Sequence, residues 1–208
     1  MKGFVERRWL YGSAIAGALF LAAAFYSDAT VLGWIAQHQT RPGTSFMRAV
    51  SLWGDWPSHF LVGAVGAVIA YALGSRRWLA IFAAMVLACA VAGVANRTIK
   101  MSAGRSRPSV KVDAGWNGPS LRSNYHSFPS GHTASSAAFF AALCFARARI
   151  GLLLLPIPLV IAFSRIYLKA HHLSDVAFGA LLGIVSAFLV WRIVSRKLQA
   201  DGSGKVAG

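Results

Sequence analysis

The chain has 208 residues, 56% of them hydrophobic, and its 21 Lys and Arg against 6 Asp and Glu give a formal net charge of +15. A mean hydropathy of +0.55 with only 13% charged residues excludes an ordinary soluble domain and points to a polytopic membrane protein. The basic residues cluster at the ends of apolar runs, so the expected anionic partner is a lipid surface and not nucleic acid.

Met1 to Trp9 is short and basic, and Leu10 to Tyr26 is an apolar run without charge. A signal peptide has this form too, but the length and the five runs that follow predict a retained first span. Residues 27–57 are mixed, with a short amphipathic interfacial helix expected over 31–38 and Trp34, Trp53 and Trp56 at the aromatic belt. The second span runs from about Ser58 to Leu73 and the third from Trp78 to Ala95, on either side of the basic turn Arg76–Arg77. Asn96 to Gly131 reads as one long polar loop, broken by Gly115, Gly118, Pro119 and Pro129. The fourth span, His132 to Ala146, is followed by the basic turn Arg147/Arg149. The fifth, Ile150 to Leu168, carries Pro156 and Pro158, a kink that neighbouring helices tolerate. The sixth runs from Leu173 to Val194, and its Gly179-x-x-x-Gly183 pair allows close helix packing. Cys89 and Cys144 lie inside apolar runs and read as small core residues, with no disulfide or zinc site.

The expected fold class is therefore all-α: a six-span transmembrane helix bundle over residues 1–198, with a disordered cytoplasmic tail at 199–208. The N-terminus, Arg76/Arg77, Arg147/Arg149 and the basic C-terminal segment fall on one side, which the positive-inside rule makes cytoplasmic. Loop 96–131 is then external and yet basic, an exception that a bound anion would explain.

Three polar segments converge on that outer face: Lys100 to Pro108, Phe128 to His132, and Ser164 to Asp175. Each supplies a part of one chemistry. Lys100, Arg107 and Arg165 offer cationic donors to phosphate oxygens. Pro129-Ser130-Gly131 reads as a turn into a helix, where free N–H groups form an anion site and Ser130 can cap or donate. His132, in the first turn, could protonate a leaving oxygen. His171 and Asp175, four apart on a helix, would share a face, and a carboxylate beside an imidazole fixes its tautomer and stabilises its cation. His172, three from Asp175, competes with His171 for that role on geometry alone. Arg105, Lys111 and Arg122 read as solvated loop cations, and His38, His59 and His126 as surface residues.

Together the segments resemble the type 2 phosphatidic acid phosphatase family, whose pattern is Lys-x6-Arg-Pro, Pro-Ser-Gly-His and Ser-Arg-x5-His-x3-Asp. This sequence has Lys100-x6-Arg107-Pro108, Pro129-Ser130-Gly131-His132 and Ser164-Arg165-x5-His171-x3-Asp175, in order and without departure. The resemblance implies a metal-independent phosphatase with no cofactor. It makes His171 the nucleophile rather than His172, with Asp175 orienting it and His132 protonating the departing oxygen. Lys100, Arg107, Ser130, Gly131 and Arg165 would bind the phosphate. It implies an anionic lipid substrate at the periplasmic face of a bacterial inner membrane: undecaprenyl diphosphate, phosphatidylglycerol phosphate, phosphatidic acid or a lipid A phosphate. A lipid-to-lipid phosphotransferase with the same site, and a non-catalytic lipid carrier, are the alternatives.

Overall fold

A computed structural model describes residues 2–110 and 115–204, with side chains over 11–110 and 115–200. Lys111 therefore lies outside the described residues. Among these the regular structure is helical, apart from one isolated bridge between Arg105 and Trp116. The helices are α1 Lys2–Tyr26, α2 Asp28–His38, α3 Arg41–Trp53, α4 Trp56–Ala72, α5 Arg76–Ala103, α6 Gly131–Ala146, α7 Ala148–Leu153, α8 Pro156–Tyr167 and α9 Leu173–Gly204. α9 thus extends into the stretch read as a tail, and 205–208 lie outside the described residues.

Length decides which helices can cross a bilayer. Arg76–Ala103, the α7–α8 pair taken as Ala148–Tyr167, and Leu173–Ala200 are long and apolar enough. Tyr11–Tyr26 with Asp28–His38, bent by 52°, is a fourth if the pair is one span. α4 and α6 are apolar but shorter, at 17 and 16 residues, a length of about 25 Å.

Three boundaries differ from the sequence reading. Two helices, α2 and α3, occupy the stretch where one was expected. α3 is capped by Thr40, whose Oγ1 accepts the Gly43 N–H at 3.2 Å, with Pro42 in the first turn. The polar loop starts at Gly104 and not at Asn96, because nothing from Asn96 to Ala103 breaks a helix. Gly104 does, at φ 59°, and a Cβ there would collide with the Gly118 carbonyl oxygen. Lys100 is consequently held on a helix rather than in a loop. The fifth apolar run is split at Leu154–Leu155, just before Pro156.

α6 is the centre of the bundle. α5 faces it with Ile81, Ala84, Met85, Ala88 and Ala92, and α6 replies with Ala138, Phe139, Ala142 and Leu143. Small side chains let these backbones approach closely. Gly179 and Gly183 do the same for α9: a Cβ on Gly179 would lie 2.7 Å from the Ser130 carbonyl oxygen, and one on Gly183 2.7 Å from the Ala138 nitrogen. Leu19, Val62, Val68, Leu153 and Ile193 point outward and exposed, as lipid-facing positions require. His59 and His126 are buried, correcting the surface reading. His59 lies edge-on to Phe139 and Phe140 and donates to the Asp55 carbonyl oxygen at 2.9 Å, so a neutral imidazole is satisfied inside the bundle. His126 donates to the Ser120 carbonyl oxygen at 2.8 Å. His38 is exposed and stacked on Trp34.

Candidate active site

A cavity of about 700 Å³ opens at the C-terminal end of α5, between α4, α6 and α8. Lys100, Arg107, Gly131, His132, Arg165 and His171 all line it, so side chains from each of the three polar segments meet there. Ser130 and Asp175 do not line it. Ser130 is fully buried; its Oγ accepts from Thr133 Oγ1 at 3.0 Å and makes no cap to α6. Its backbone N–H donates to the Asp175 carbonyl oxygen at 3.0 Å, which ties the second segment to the third.

His171 is placed by the way α8 ends. Lys169 takes the left-handed conformation at φ 52°, and the N–H groups of Ala170 and His171 both reach back to the Arg165 carbonyl oxygen, at 3.1 and 3.2 Å. The imidazole is buried and lies before α9, so the helical i,i+4 argument does not describe its pairing with Asp175. Nδ1 sits 2.6 Å from the Ser127 carbonyl oxygen and 3.7 Å from Asp175 Oδ2. A carbonyl only accepts, so Nδ1 carries the proton and donates to Ser127. Nε2 is left with its lone pair. Ser127 Oγ in turn donates to Asp175 Oδ2 at 2.5 Å. The carboxylate thus orients His171 largely through Ser127. Burial pushes the His171 imidazole down to about 3, against the raising effect of Asp175.

Asp175 is fully buried and saturated with donors. Besides Ser127 it accepts Arg105 Nη1 at 2.6 Å, the His172 N–H at 2.8 Å and His172 Nδ1 at 3.1 Å. The backbone contact is half of a capping box, the third helical residue reaching back to the residue before α9. His172 therefore supports Asp175 and does not line the cavity.

Arg105 is not a solvated loop cation. It is buried, with Nη2 2.7 Å from Asp28 Oδ2 and Nη1 on Asp175, and its guanidinium lies 5.4 Å from the Phe25 ring centroid and 5.1 Å from that of Trp116. Asp28 also accepts from the Ser174 N–H at 2.8 Å and Ser174 Oγ at 2.6 Å. The α1–α2 bend is thereby fastened to the start of α9. Part of the positive charge of the loop between α5 and α6 is neutralised inside the fold. Arg122 is exposed, as read.

The cavity wall is cationic. Arg107 donates from Nε to the Ser123 carbonyl oxygen at 3.1 Å, leaving its terminal nitrogens free of that bond. Burial lowers its pKa and Asp175 opposes the shift; an arginine stays charged regardless. Arg165 donates from Nη1 to Ser51 Oγ on α3, and its buried Nε has no hydrogen-bond partner. Asn96 holds the turn before α6 by donating to the Pro129 carbonyl oxygen at 3.1 Å. Gly131 leaves room for close approach: a Cβ there would sit 3.7 Å from Lys100 Nζ. His132 Nδ1 lies 3.5 Å from Asp55 Oδ1, and the same Oδ1 caps α4 by accepting the Trp56 N–H at 2.8 Å. Among the described residues no group of three or more His, Cys, Asp or Glu could hold a metal ion.

The family model of the PAP2 superfamily matches residues 78–199, which include all three segments and the cavity wall apart from Asp55, Trp56 and Phe60 on the α4 side. The chain belongs to the PAP2 superfamily. As a PAP2 member it is a phosphatase, carried on helices apolar and long enough to cross a membrane. It is similar to the decaprenylphosphoryl-5-phosphoribose phosphatase of Mycobacterium tuberculosis, 36% identical over 160 residues that cover 72% of this chain and 80% of that protein. Two solved PAP2-type structures share its fold. The transmembrane phosphatidylglycerolphosphate phosphatase of Bacillus subtilis matches with a TM-score of 0.67 at 19% identity, over 88% of this chain and 94% of that one. LpxE of Aquifex aeolicus matches with a TM-score of 0.61 at 21% identity, over 79% of this chain and 94% of that one.

Four residues around this PAP2 site escaped the sequence reading: Asp28, Asp55, Arg105 and Ser127. Asp28 and Asp55 carried a faint signal. They are two of only six carboxylates in the chain, and each stands beside an apolar run, where an unpaired acid is costly. Ser127 carried none, since it acts through its backbone carbonyl as well as its hydroxyl.

Proposed function

We propose that this chain hydrolyses a terminal phosphate from an anionic lipid through a phosphohistidine on His171, at the periplasmic face of a bacterial inner membrane. The observation that carries the reading is the single cavity lined by Lys100, Arg107, Arg165, His132 and His171. The three cations bind the nonbridging phosphate oxygens, Arg107 and Arg165 with planar forks. The Gly131 amide, at the start of α6, adds a donor. Phosphorus then sits between two imidazoles with distinct tasks.

His171 is neutral, and its Nε2 lone pair attacks phosphorus. The P–N bond forms as the P–O bond to the lipid breaks, and the electron pair goes to the lipid oxygen. His132, which carries a proton in the complex because the bound phosphate charge offsets the surrounding cations, gives that oxygen its proton. Charge building on the equatorial oxygens is met by preorganised cations. The phosphorylated His171 keeps its Nδ1–H on Ser127, and the buried Asp175 carboxylate at 3.7 Å stabilises the positive ring. In the second step water attacks phosphorus and gives its proton to His132. The P–N bond breaks, inorganic phosphate departs, and both imidazoles return to their starting states. No step asks for a metal. Ser130, buried beneath the α6 turn, serves the geometry of that turn rather than the phosphate.

The orientation rests on charge. Arg76 and Lys100 are 24 residues apart on α5, about 36 Å, more than the roughly 30 Å hydrocarbon layer. The basic turn at Arg76–Arg77 and the cavity are thus at opposite faces, and basic turns favour the cytoplasm.

The test is phosphate release by purified protein from a panel of lipid phosphates, with and without EDTA. Wild type is expected to be active and insensitive to EDTA. His171→Ala is expected to release none and His172→Ala to remain active. Phosphate release by His171→Ala at the wild-type rate would remove the mechanism.

A further inference from the structure

α5 carries into the cavity a cation that this chemistry does not use. Arg97 lies three residues before Lys100, about 4.5 Å further from the outer end of the helix, and lines the same cavity. Its side chain is exposed, and no carboxylate among the described residues pairs with it. Arg97 is 21 residues from Arg76 on α5, about 31 Å, so it stands at the edge of the roughly 30 Å hydrocarbon layer, where a cation without a carboxylate partner is placed to meet an anionic headgroup.

Charge and order along the cavity say which ligand. The charged lining residues are Arg97, Lys100, Arg107 and Arg165 against Asp55 alone. One phosphate monoester brings about two negative charges, which with Asp55 leaves one cation over. Below Arg97 the wall turns apolar, through Val94 and Gly93 to Ala90 on α5 and Phe60 on α4. A molecule seated along this path meets three cations at its head, a fourth just beneath, and then a hydrocarbon surface.

We infer that Arg97 forms a second-phosphate subsite, and that the substrate is a lipid diphosphate whose inner phosphate joins the scissile one to the chain. The inference rests on the phosphatase reading above and narrows it. The bond that breaks joins the terminal phosphorus to the bridging oxygen. That oxygen keeps the electron pair, takes the proton of His132, and leaves as part of a lipid monophosphate. The charge that builds on the leaving phosphate is the charge Arg97 meets. Arg97 therefore lowers the barrier most for a diphosphate, and a simple lipid monophosphate has nothing to offer it.

Farnesyl diphosphate and farnesyl monophosphate share a tail and differ by one phosphate, so their ratio of kcat/KM reads the subsite directly. In the detergent-solubilised full chain, Arg97→Gln is expected to lower the diphosphate-to-monophosphate ratio at least tenfold, and Arg97→Lys is expected to restore much of it. An unchanged ratio in Arg97→Gln overturns the subsite, including the case where both substrates lose activity alike because Arg97 merely anchors the helix in the headgroups. Inorganic pyrophosphate provides two phosphates without a tail; a kcat/KM matching that of farnesyl diphosphate overturns the lipid assignment. Wild-type protein that releases phosphate from neither farnesyl substrate overturns the phosphatase reading and the subsite together. Activity on both with no effect of Arg97 overturns the subsite alone.

Discussion

Replacing Arg105 by methionine keeps an unbranched side chain over Phe25 and Trp116 but leaves Asp28 and Asp175 without their shared cation. The side chains are 10% exposed for Arg105, 11% for Asp28 and 0% for Asp175, so water cannot replace it. Breaking a buried ion pair from one side costs about 3–5 kcal/mol, and here one cation serves two acids, which places the loss near the top of that range. For a chain of this size that is a fall of roughly 10–20 °C in Tm. Thermal unfolding in detergent, followed by tryptophan fluorescence at fixed scan rate, measures it. The diagnostic is the double variant. Asp28→Asn alone is expected to destabilise, since Arg105 loses a partner. In the Arg105→Met background it is expected to recover stability, because it removes one of two unpaired carboxylates. A change of less than about 0.5 kcal/mol for Arg105→Met, the size typical of a solvated surface residue, would refute the reasoning. So would a double variant whose losses simply add.

Asp55→Asn keeps the cap on α4, since asparagine caps as well as aspartate, but removes the charge beside His132. Stability should change little while kcat for phosphate release falls about tenfold; equal kcat would show the contact to be incidental. Gly183→Ala pushes a methyl group into the α6 backbone and is expected to destabilise by about 1–3 kcal/mol, read as a lower Tm. With its imidazole held down to about 3 by burial, His171 stays neutral above that value and gains a proton only well below pH 5. Its ring nitrogen resonances in ¹⁵N-labelled protein should therefore not titrate between pH 8 and pH 5, and a transition near the ordinary histidine value of about 6.5 would contradict the buried geometry. Ser127→Ala removes the hydroxyl link to Asp175 but spares the carbonyl that holds Nδ1. A partial loss of activity, much smaller than for His171→Ala, is the expected outcome of the release assay.

Sequence by itself determined what is periodic or local. Apolar runs of helical length fix an all-α chain with lipid-facing helices, because the bilayer allows only structures that satisfy their own backbone. The three polar segments, each within a few residues, are legible for the same reason: spacing is a one-dimensional property. So is the Gly179-x-x-x-Gly183 stripe, which needs only the helical repeat to name the face it clears. The tertiary structure decided everything that depends on partners far apart in the chain. Arg105 and Lys111 look alike in a loop, yet Arg105 reaches Asp28 across 77 residues and Asp175 across 70, and nothing in its neighbours announces that. His171 and Asp175 suggested a direct pair by their spacing, but the chain turns at Lys169 before α9 begins and inserts Ser127, 44 residues away, between them. Asp55 becomes a partner of His132 only when α4 is packed beside α6. A buried charge is stable only where a distant segment supplies its opposite, and the energy that enforces this belongs to the packed bundle, not to any stretch of sequence.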